Sequence, residues 1–213
     1  MVSQVHPDLL KSLSPTVLQL LGQFDEISSE RKKILIELAQ FIQKKIDTDQ
    51  QVYLNFICTH NSRRSQLAQI WAQTASYYYA IPMVNCFSGG TEATAFNSKA
   101  VKAMQQAGFN IMKTKDGSNP SYDVKFSNGE IPLMAYSKKY DDPSNPQKDF
   151  AAIMTCSHAD ENCPLVFGAA TRIAIAYDDP KDFDGTPQEE AKYNERVMEI
   201  GREMFFTFSK VKI

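Results

Sequence analysis

The N-terminal part of the chain alternates polar positions with apolar residues at close to helical spacing. A first helix is predicted to start at Ser14-Pro15, because proline is favoured in the first turn of a helix. A second helix carries a stripe of six apolar residues: Ile34, Leu35, Leu38, Phe41, Ile42 and Ile46. We therefore predict a helical extension over residues 1–48, whose stripe packs on the rest of the chain.

From residue 49 onward, short runs of strand-forming residues alternate with helical patterns. Four strands are predicted, at Val52–Ile57, Met83–Phe87, Phe150–Thr155 and Arg172–Tyr177. Two helices are predicted between them, at Ser62–Tyr78 and Asn97–Ala107. A final helix is predicted to open at Thr186 as N-cap, followed by Pro187 and a capping-box Glu189. This order predicts an α/β domain with a parallel sheet over residues 49–213.

One stretch interrupts the alternation. Asp123–Phe126 and Ile131–Tyr136 are strand-like runs on either side of Ser127-Asn128-Gly129. An Asn-Gly pair between two such runs is typical of a tight antiparallel turn. We predict an inserted β-hairpin at about residues 120–140.

Composition and charge exclude several classes of function. The 213 residues are 43% hydrophobic and 23% charged, which is typical of a globular protein. A formal net charge of −2 argues against broad binding to nucleic acid or a membrane surface. The start of the chain, residues 1–6, lacks the basic and apolar regions of a secretory signal, so a cytoplasmic location is expected.

The chain has four cysteines, Cys58, Cys86, Cys156 and Cys163, too few for a disulfide scaffold of this size. In a reducing compartment they are core residues, ligands or reactive thiols. Cys86 lies inside a predicted strand, and we expect it to be a small buried apolar residue.

The strongest chemical signal lies between the first strand and the helix that follows it. A loop at this position directs backbone N–H groups at an anion, and Arg64 adds a planar fork of donors. The same positive field favours the thiolate of Cys58, a form that an ordinary thiol of pKa about 8.5 rarely adopts at neutral pH. Asn61 tolerates a left-handed backbone, and Ser65 can donate to the thiolate. The predicted oxyanion-binding residues are Thr59, His60, Asn61, Ser62, Arg63, Arg64 and Ser65.

The alternative for this loop is a buried cysteine beside a surface arginine, since a cysteine six positions before an arginine often occurs by chance. The strand–loop–helix context favours the anion site. The segment Cys58–Ala68 also resembles the phosphate loop of the low-molecular-weight protein tyrosine phosphatases and the related thioredoxin-coupled arsenate reductases.

Further segments are similar to this family in the expected order. Ser88–Glu92 resembles its second-strand motif, Asn97–Gly108 the following helix, and Tyr177–Pro180 its Asp-Pro acid loop. The resemblance covers about residues 51–210 and implies a four-stranded parallel sheet flanked by helices. It also implies that Asp179, directly before Pro180, is the general acid. From local sequence alone, the acidic run around Asp179 is equally well explained as a solvated turn.

Cys156 and Cys163 separate the two branches of the family. Six residues lie between them and a proline follows, which resembles the redox segment of the arsenate reductases. The resemblance implies a relay in which Cys58 attacks arsenate, Cys156 releases arsenite, and Cys163 leaves a Cys156–Cys163 disulfide for thioredoxin. Two core cysteines, or a zinc site with His158, are the alternatives, although the spacing fits no common zinc motif.

The spacing of this pair makes a mechanical demand. Seven helical steps would separate the two Cα atoms by about 10 Å, whereas a disulfide needs them within about 7 Å. The two cysteines can therefore join only if the segment is looped or unwinds on oxidation.

The sequence also departs from the family in three places. His60 stands where the family usually has glycine, so the backbone there must avoid the glycine-only region. Arg63 replaces a residue that is often a second cysteine. Phe183 is the one aromatic residue close enough after the acid loop to hold a phenyl ring.

Three functions remain open from the sequence. The first is an arsenate reductase with a thiol relay, and the second is a tyrosine phosphatase or other phosphomonoesterase that uses Cys58, Arg64 and Asp179. The third is a non-catalytic oxyanion-binding or redox-sensing module. We expect an oxyanion substrate, thioredoxin or a similar thiol reductant as partner, and no metal, further cofactor, nucleic acid or membrane.

Overall fold

The computed structural model describes residues 8–162 and 165–213. Its strands are β1 (Val52–Cys58), β2 (Val84–Gly90), β3 (Asn110–Lys115), β4 (Ser121–Lys125), β5 (Leu133–Ala135), β6 (Phe150–Met154) and β7 (Ala169–Ala174). Its helices are α1 (Ser14–Gly22), α2 (Ser29–Ile46), α3 (Arg64–Tyr78), α4 (Ser98–Gln106), α5 (Ser157–Asn162) and α6 (Glu189–Phe208). Two short 3₁₀ turns lie at Phe24–Glu26 and Pro180–Phe183.

The central sheet has the strand order β2-β1-β6-β7, and every neighbouring pair is parallel. Helices flank it, so the predicted α/β fold with a four-stranded parallel sheet is confirmed. Strand β1 is buried at every position except Tyr53, as expected of a parallel strand that is covered on both faces. Its carboxyl end, at Cys58, therefore emerges from the middle of the sheet.

The core on one side of the sheet is aromatic. Trp71 of α3 is fully buried and makes edge-on contacts with Phe109 and with Phe205 of α6, at ring-centroid distances of 4.8 and 5.9 Å. Edge-on aromatic pairs of this kind stabilise a core beyond their buried area, by about 0.5–1.5 kcal/mol each. This packing fixes the helix that carries the arginines of the predicted anion loop.

The N-terminal helices share this core. α1 and α2 both pack on α6, and the predicted stripe supplies fully buried side chains at Leu35, Leu38 and Ile42. The packing of the stripe on the rest of the chain is therefore confirmed. The division into an extension of residues 1–48 and a catalytic domain stays a prediction.

A second, antiparallel sheet has the order β3-β4-β5. The predicted hairpin is confirmed by the antiparallel pairing of β4 and β5, with Asp123 opposite Met134. The remaining strand of this sheet, β3, was not predicted from the sequence. All of its residues except Ile111 are exposed, so it carries no apolar run that would mark a strand.

The predicted start of the last helix is wrong by two residues, because the N-cap is Gln188 and not Thr186. α6 begins at Glu189, and Thr186 instead closes a turn by donating to the Phe183 carbonyl over 2.8 Å. The Glu189 carboxylate accepts from the backbone N–H of Gly185 at 2.7 Å. Thr186 Oγ1 also accepts from the backbone N–H of Gln188 over 3.2 Å, so both side chains order the residues directly before the helix. No helix within the described residues has the length and apolarity needed to cross a bilayer.

Candidate active site

The loop from Cys58 to Arg64 has its carbonyl groups turned outward. The backbone N–H groups of Thr91, Glu92 and Asn97 donate to the carbonyls of residues 58, 59 and 62, over 3.1, 2.8 and 2.9 Å. The Ser137 hydroxyl donates to the His60 carbonyl at 2.8 Å, and the Gln66 amide donates to the Asn61 carbonyl at 3.2 Å. With the carbonyls held outside, the loop N–H groups are left for an anion on the inner side, as in a phosphate-binding nest.

The left-handed residue of the loop is Asn61, at φ 46°, as the sequence predicted. His60, where the family usually has glycine, has no positive φ, so its side chain causes no backbone strain. Asparagine is among the residues that adopt this conformation at least cost. The Asn61 side chain is itself buried, and its Oδ1 accepts from the backbone N–H of Lys138 over 2.9 Å.

Ser65 connects Asn61 to the thiol. The Asn61 amide donates to Ser65 Oγ over 2.9 Å, and Ser65 Oγ lies 3.0 Å from Cys58 Sγ. Because Ser65 Oγ already accepts from Asn61, its own hydrogen is available to Cys58. Cys58 is 4% exposed, so this hydrogen bond forms in a largely water-excluded site.

Arg64 spans the site from the first turn of α3. Its guanidinium donates to the Tyr177 carbonyl at 2.9 Å and to Asp179 Oδ2 at 2.7 Å. Its Nε is buried and has no hydrogen-bond partner among the described residues. A buried donor without a partner is costly, so this N–H is available for an oxyanion.

Asp179 is placed at the site and Asp178 is not. The Asp179 side chain is 21% exposed and lies between two arginines, with Arg63 Nη1 3.6 Å from its second oxygen. That oxygen also accepts from the backbone N–H of Lys181 at 3.1 Å, which caps the Pro180–Phe183 turn. The Asp178 side chain is 98% exposed. The solvated-turn alternative therefore describes Asp178, while Asp179 lies beside the arginine predicted to bind the anion.

Cys156 lies next to the same loop, because β6 pairs with β1 and ends beside it. Its side chain is 1% exposed, and its Sγ accepts from the backbone N–H of Ala159 over 3.3 Å at the start of α5. Thr59 Oγ1 lies 3.5 Å from Cys156 Sγ and 3.2 Å from His158 Nδ1. Thr59, the residue directly after Cys58, is therefore in contact with Cys156.

Cys163 lies outside the described residues. The segment that precedes it is helical from Ser157 to Asn162. In the described part of the chain, no group of three or more His, Cys, Asp or Glu side chains is arranged to hold a metal ion. Cys86 is buried in β2, as expected, and burial raises the pKa of its thiol.

Sequence reasoning did not identify the residues that support the loop from outside. After β5 the chain runs along β2, where the Lys138 carbonyl accepts from Gly90 N–H and Tyr140 N–H donates to the Gly90 carbonyl, both at 2.9 Å. Tyr193 of α6 accepts from Arg63 Nε at 3.2 Å. These contacts join residues far apart in the chain, and no local pattern marks them. Gly89 and Gly90, in the second-strand motif Ser88–Glu92, were the one feature of the sequence that could have indicated these contacts.

Gly90 is required there because the backbones approach closely. A Cβ at this position would lie 2.6 Å from the Thr59 carbonyl oxygen and 2.7 Å from the Asn61 nitrogen. Real Cβ atoms do not approach other atoms this closely, so a larger residue would displace the anion loop.

Comparison with known proteins identifies the family. No family model matches the chain. It is 31% identical to an arsenate reductase of Bacillus licheniformis over 147 residues, which are 68% of this chain and 87% of that protein. It is also 31% identical to an arsenate reductase of Bacillus subtilis over 150 residues, which are 70% of this chain and 89% of that protein.

Solved structures were compared as well. A low-molecular-weight protein tyrosine phosphatase from T. tengcongensis superposes with a TM-score of 0.49 and 15% identity, over 76% of this chain and all (100%) of that one. A low-molecular-weight phosphotyrosine phosphatase from Vibrio cholerae gives 0.47 and 13%, over 73% and 93%. The fold assignment rests on the strand order of the central sheet and not on these scores. The identity to the curated relatives, over most of their length, shows that the chain belongs to the family of the arsenate reductases.

Proposed function

We propose that this protein is an arsenate reductase that carries electrons out of the site through a cysteine relay. The observation that carries the proposal is the position of Cys156, buried beside the anion loop and in contact with Thr59. A phosphatase of this family needs one thiol and an acid, whereas reduction of As(V) to As(III) needs two electrons from thiols. Identity with proteins named arsenate reductase supports the same assignment.

The first step is attack on arsenate. The loop N–H groups and Arg64 hold the oxyanion, and Ser65 donates to the Cys58 thiolate until it reacts. Cys58 Sγ forms a bond to arsenic, and one arsenate oxygen leaves as water after Asp179 supplies a proton. Asp179 lies 2.7 Å from Arg64, so the acid stands beside the group that holds the leaving oxygen.

The second step releases arsenite. Cys156, as thiolate, attacks Cys58 Sγ, and an S–S bond forms while the As–S bond breaks with its electron pair remaining on arsenic. The Ala159 N–H, 3.3 Å from Cys156 Sγ, donates to this thiolate at the start of α5. A hydrogen bond to a charged sulfur is stronger than one to a neutral thiol, so this N–H is placed to hold the attacking sulfur.

The third step regenerates Cys58. The Cys163 thiolate attacks Cys156 Sγ, Cys58 leaves as thiolate, and the Cys156–Cys163 disulfide accepts two electrons from a dithiol of the thioredoxin class. Seven continuous helical steps would hold two Cα atoms about 10 Å apart, so we propose that helix α5, Ser157–Asn162, unwinds as this disulfide forms. A cytoplasmic location, where thiols stay reduced, fits this chemistry.

A single preparation tests the proposal against the phosphatase alternative. Wild-type enzyme with thioredoxin, thioredoxin reductase and NADPH should oxidise NADPH only when arsenate is added. The double variant Cys156→Ser/Cys163→Ser should lose this activity and keep any hydrolysis of aryl phosphates. If the double variant reduces arsenate at the wild-type rate, the relay is wrong. If wild-type enzyme hydrolyses aryl phosphates and leaves arsenate unchanged, the phosphatase assignment is correct.

A further inference from the structure

The second helix of the N-terminal extension contacts the acid loop, Tyr177–Pro180, through one side chain. Arg31 of α2 donates from Nε and Nη2 to the two carboxylate oxygens of Glu203 in α6, at 2.8 and 2.9 Å. The centre of the same guanidinium lies 4.8 Å from the centroid of the Tyr177 ring. Arg31 therefore makes a two-bond ion pair and a cation–π contact at once.

This ion pair is anchored in the core. The Glu203 side chain is 4% exposed and that of Arg31 is 21% exposed. Planar, two-bond pairing fixes the orientation of a guanidinium as well as its position. Burial, together with the nearby Glu203 carboxylate, raises the pKa of Tyr177 well above its usual value, so Arg31 faces a neutral ring.

Tyr177 in turn holds the proposed catalytic groups. Its carbonyl accepts from Arg64 Nη1 at 2.9 Å, and its backbone N–H donates to the Thr155 carbonyl at 3.2 Å. Asp179, two residues further on, accepts from Arg64 Nη2 at 2.7 Å. The ring of Tyr177 is 5% exposed, so its backbone cannot shift without a shift of the buried ring.

We propose that Arg31 is a positioning residue of the active site, which holds Tyr177 so that the Tyr177 carbonyl and Asp179 fix the guanidinium of Arg64. The inference rests on the proposed function, in which Arg64 binds the oxyanion. It assigns a role in the reaction to the N-terminal extension, which lies outside the residues 51–210 that resemble the family. The extension then supplies a support for the catalytic site in addition to part of the core.

The variants must separate this role from a general loss of folding. Removing Arg31 alone would leave the Glu203 carboxylate buried without a partner, which destabilises proteins strongly. The double variant Arg31→Leu/Glu203→Met replaces the pair with apolar side chains of similar size and avoids that cost. Arg31→Lys keeps the charge over the Tyr177 ring and loses the planar fork.

The chain offers a matched control. Arg202 of α6 pairs with Glu26, in the Phe24–Glu26 turn, and so also joins the N-terminal region to α6. Among the described residues, Arg202 has no hydrogen bond or ion pair with the acid loop or with Arg64. Arg202→Ala therefore removes an ion pair between the same two parts of the chain and leaves the support of Tyr177 intact.

The measurement is the protection of Cys58 from iodoacetate by inorganic phosphate, which gives a dissociation constant for the anion without turnover. A displacement of about 1 Å in an active site can lower the rate of the reaction about a hundredfold. We expect the dissociation constant to rise about tenfold or more in Arg31→Leu/Glu203→Met and less in Arg31→Lys. It should stay within about twofold of wild type in Arg202→Ala. The KM for arsenate should rise in parallel, which a mere loss of folded enzyme would not produce.

The outcomes distinguish this inference from the proposed function. If phosphate protects the wild type and the double variant equally, Arg31 does not position Arg64 and the inference is wrong. If phosphate does not protect wild-type Cys58, the anion site is wrong and the inference fails with it. If wild-type enzyme binds phosphate but does not reduce arsenate, and the double variant binds phosphate more weakly, the inference holds and the assignment of the reaction fails.

Discussion

The amide of Asn61 donates to Ser65 Oγ over 2.9 Å and so occupies one acceptor position of that hydroxyl. The orientation of the Asn61 amide is itself fixed, because its Oδ1 accepts from the Lys138 N–H at 2.9 Å. Ser65 Oγ lies 3.0 Å from Cys58 Sγ, so its hydroxyl hydrogen is available to a thiolate at Cys58. A left-handed residue needed for the shape of the loop thus also prepares the donor for the nucleophile.

Replacement of Ser65 by alanine should slow the reaction of Cys58 with iodoacetate at pH 7. Hydrogen bonds to charged groups contribute about 1.5–3 kcal/mol, so a loss of roughly tenfold or more in rate is expected. Ser76→Ala is the matched control, since Ser76 is a buried serine on the same helix that bonds to the Gln73 carbonyl. Equal alkylation rates in the Ser65 variant and wild type would show that Ser65 does not stabilise the thiolate.

The acid loop gives a test with two adjacent residues. Asp179→Asn should lower arsenate turnover by about a hundredfold or more, because general acid catalysis typically contributes that much. Asp178→Asn, at a side chain that is 98% exposed, should stay within about twofold of wild type. Steady-state kinetics of both variants at one pH makes the comparison. If Asp178→Asn is the slower enzyme, the assignment of the acid is reversed.

Gly90 tests the shape of the anion loop without touching its side chains. A Cβ at Gly90 would lie 2.6 Å from the Thr59 carbonyl oxygen, so Gly90→Ala should displace the loop and weaken phosphate binding at least tenfold. Gly22→Ala is the control, since a Cβ there meets nothing within 4 Å. Binding is measured by protection of Cys58 from alkylation. Wild-type affinity in Gly90→Ala would mean that β2 does not set the loop geometry.

Cys86 should make the protein less stable at alkaline pH. Burial raises the pKa of its thiol, so the folded state keeps a proton that the unfolded chain loses above about pH 8.5. The free energy of unfolding therefore falls as pH rises, by about 1.4 kcal/mol per pH unit for one proton.

Urea unfolding of wild type and Cys86→Ala between pH 8 and 10 measures this effect. Buried tyrosines titrate in both proteins, so the difference between the two slopes isolates Cys86. In Cys86→Ala, the free energy of unfolding should fall less steeply with pH than in wild type, by the contribution of one proton. This difference in slope is expected whatever the stability of the variant at pH 8. Parallel slopes would show that Cys86 ionises as readily in the folded protein as in the unfolded chain.

The part of the site that is local in sequence could be predicted. A strand, a loop from Cys58 to Arg64 and a helix are continuous, and the steric demand of the loop made Asn61 the candidate for the left-handed residue. The choice of Asp179 as the candidate acid followed from the family resemblance, since local sequence did not separate this residue from a solvated turn.

The supports of the site could not be predicted, because they depend on packing between distant segments. Arg31 meets Tyr177 only after α2 has packed on α6, and Lys138 meets Asn61 only because the insertion returns along β2. β3 was missed for a related reason, since an exposed strand on a small sheet carries little hydrophobic pattern. The start of α6 was misplaced because Thr186 and Glu189 form side-chain bonds within the preceding turn.

In the proposed mechanism, two electrons pass from cysteines to arsenic at this site. One turnover with stoichiometric arsenate and no reductant, followed by alkylation and peptide mapping by mass spectrometry, tests it most directly. We expect one arsenite per chain and one Cys156–Cys163 disulfide, with Cys58 and Cys86 still as thiols. Arsenite formed without a disulfide at Cys156, or no arsenite at all, would contradict it.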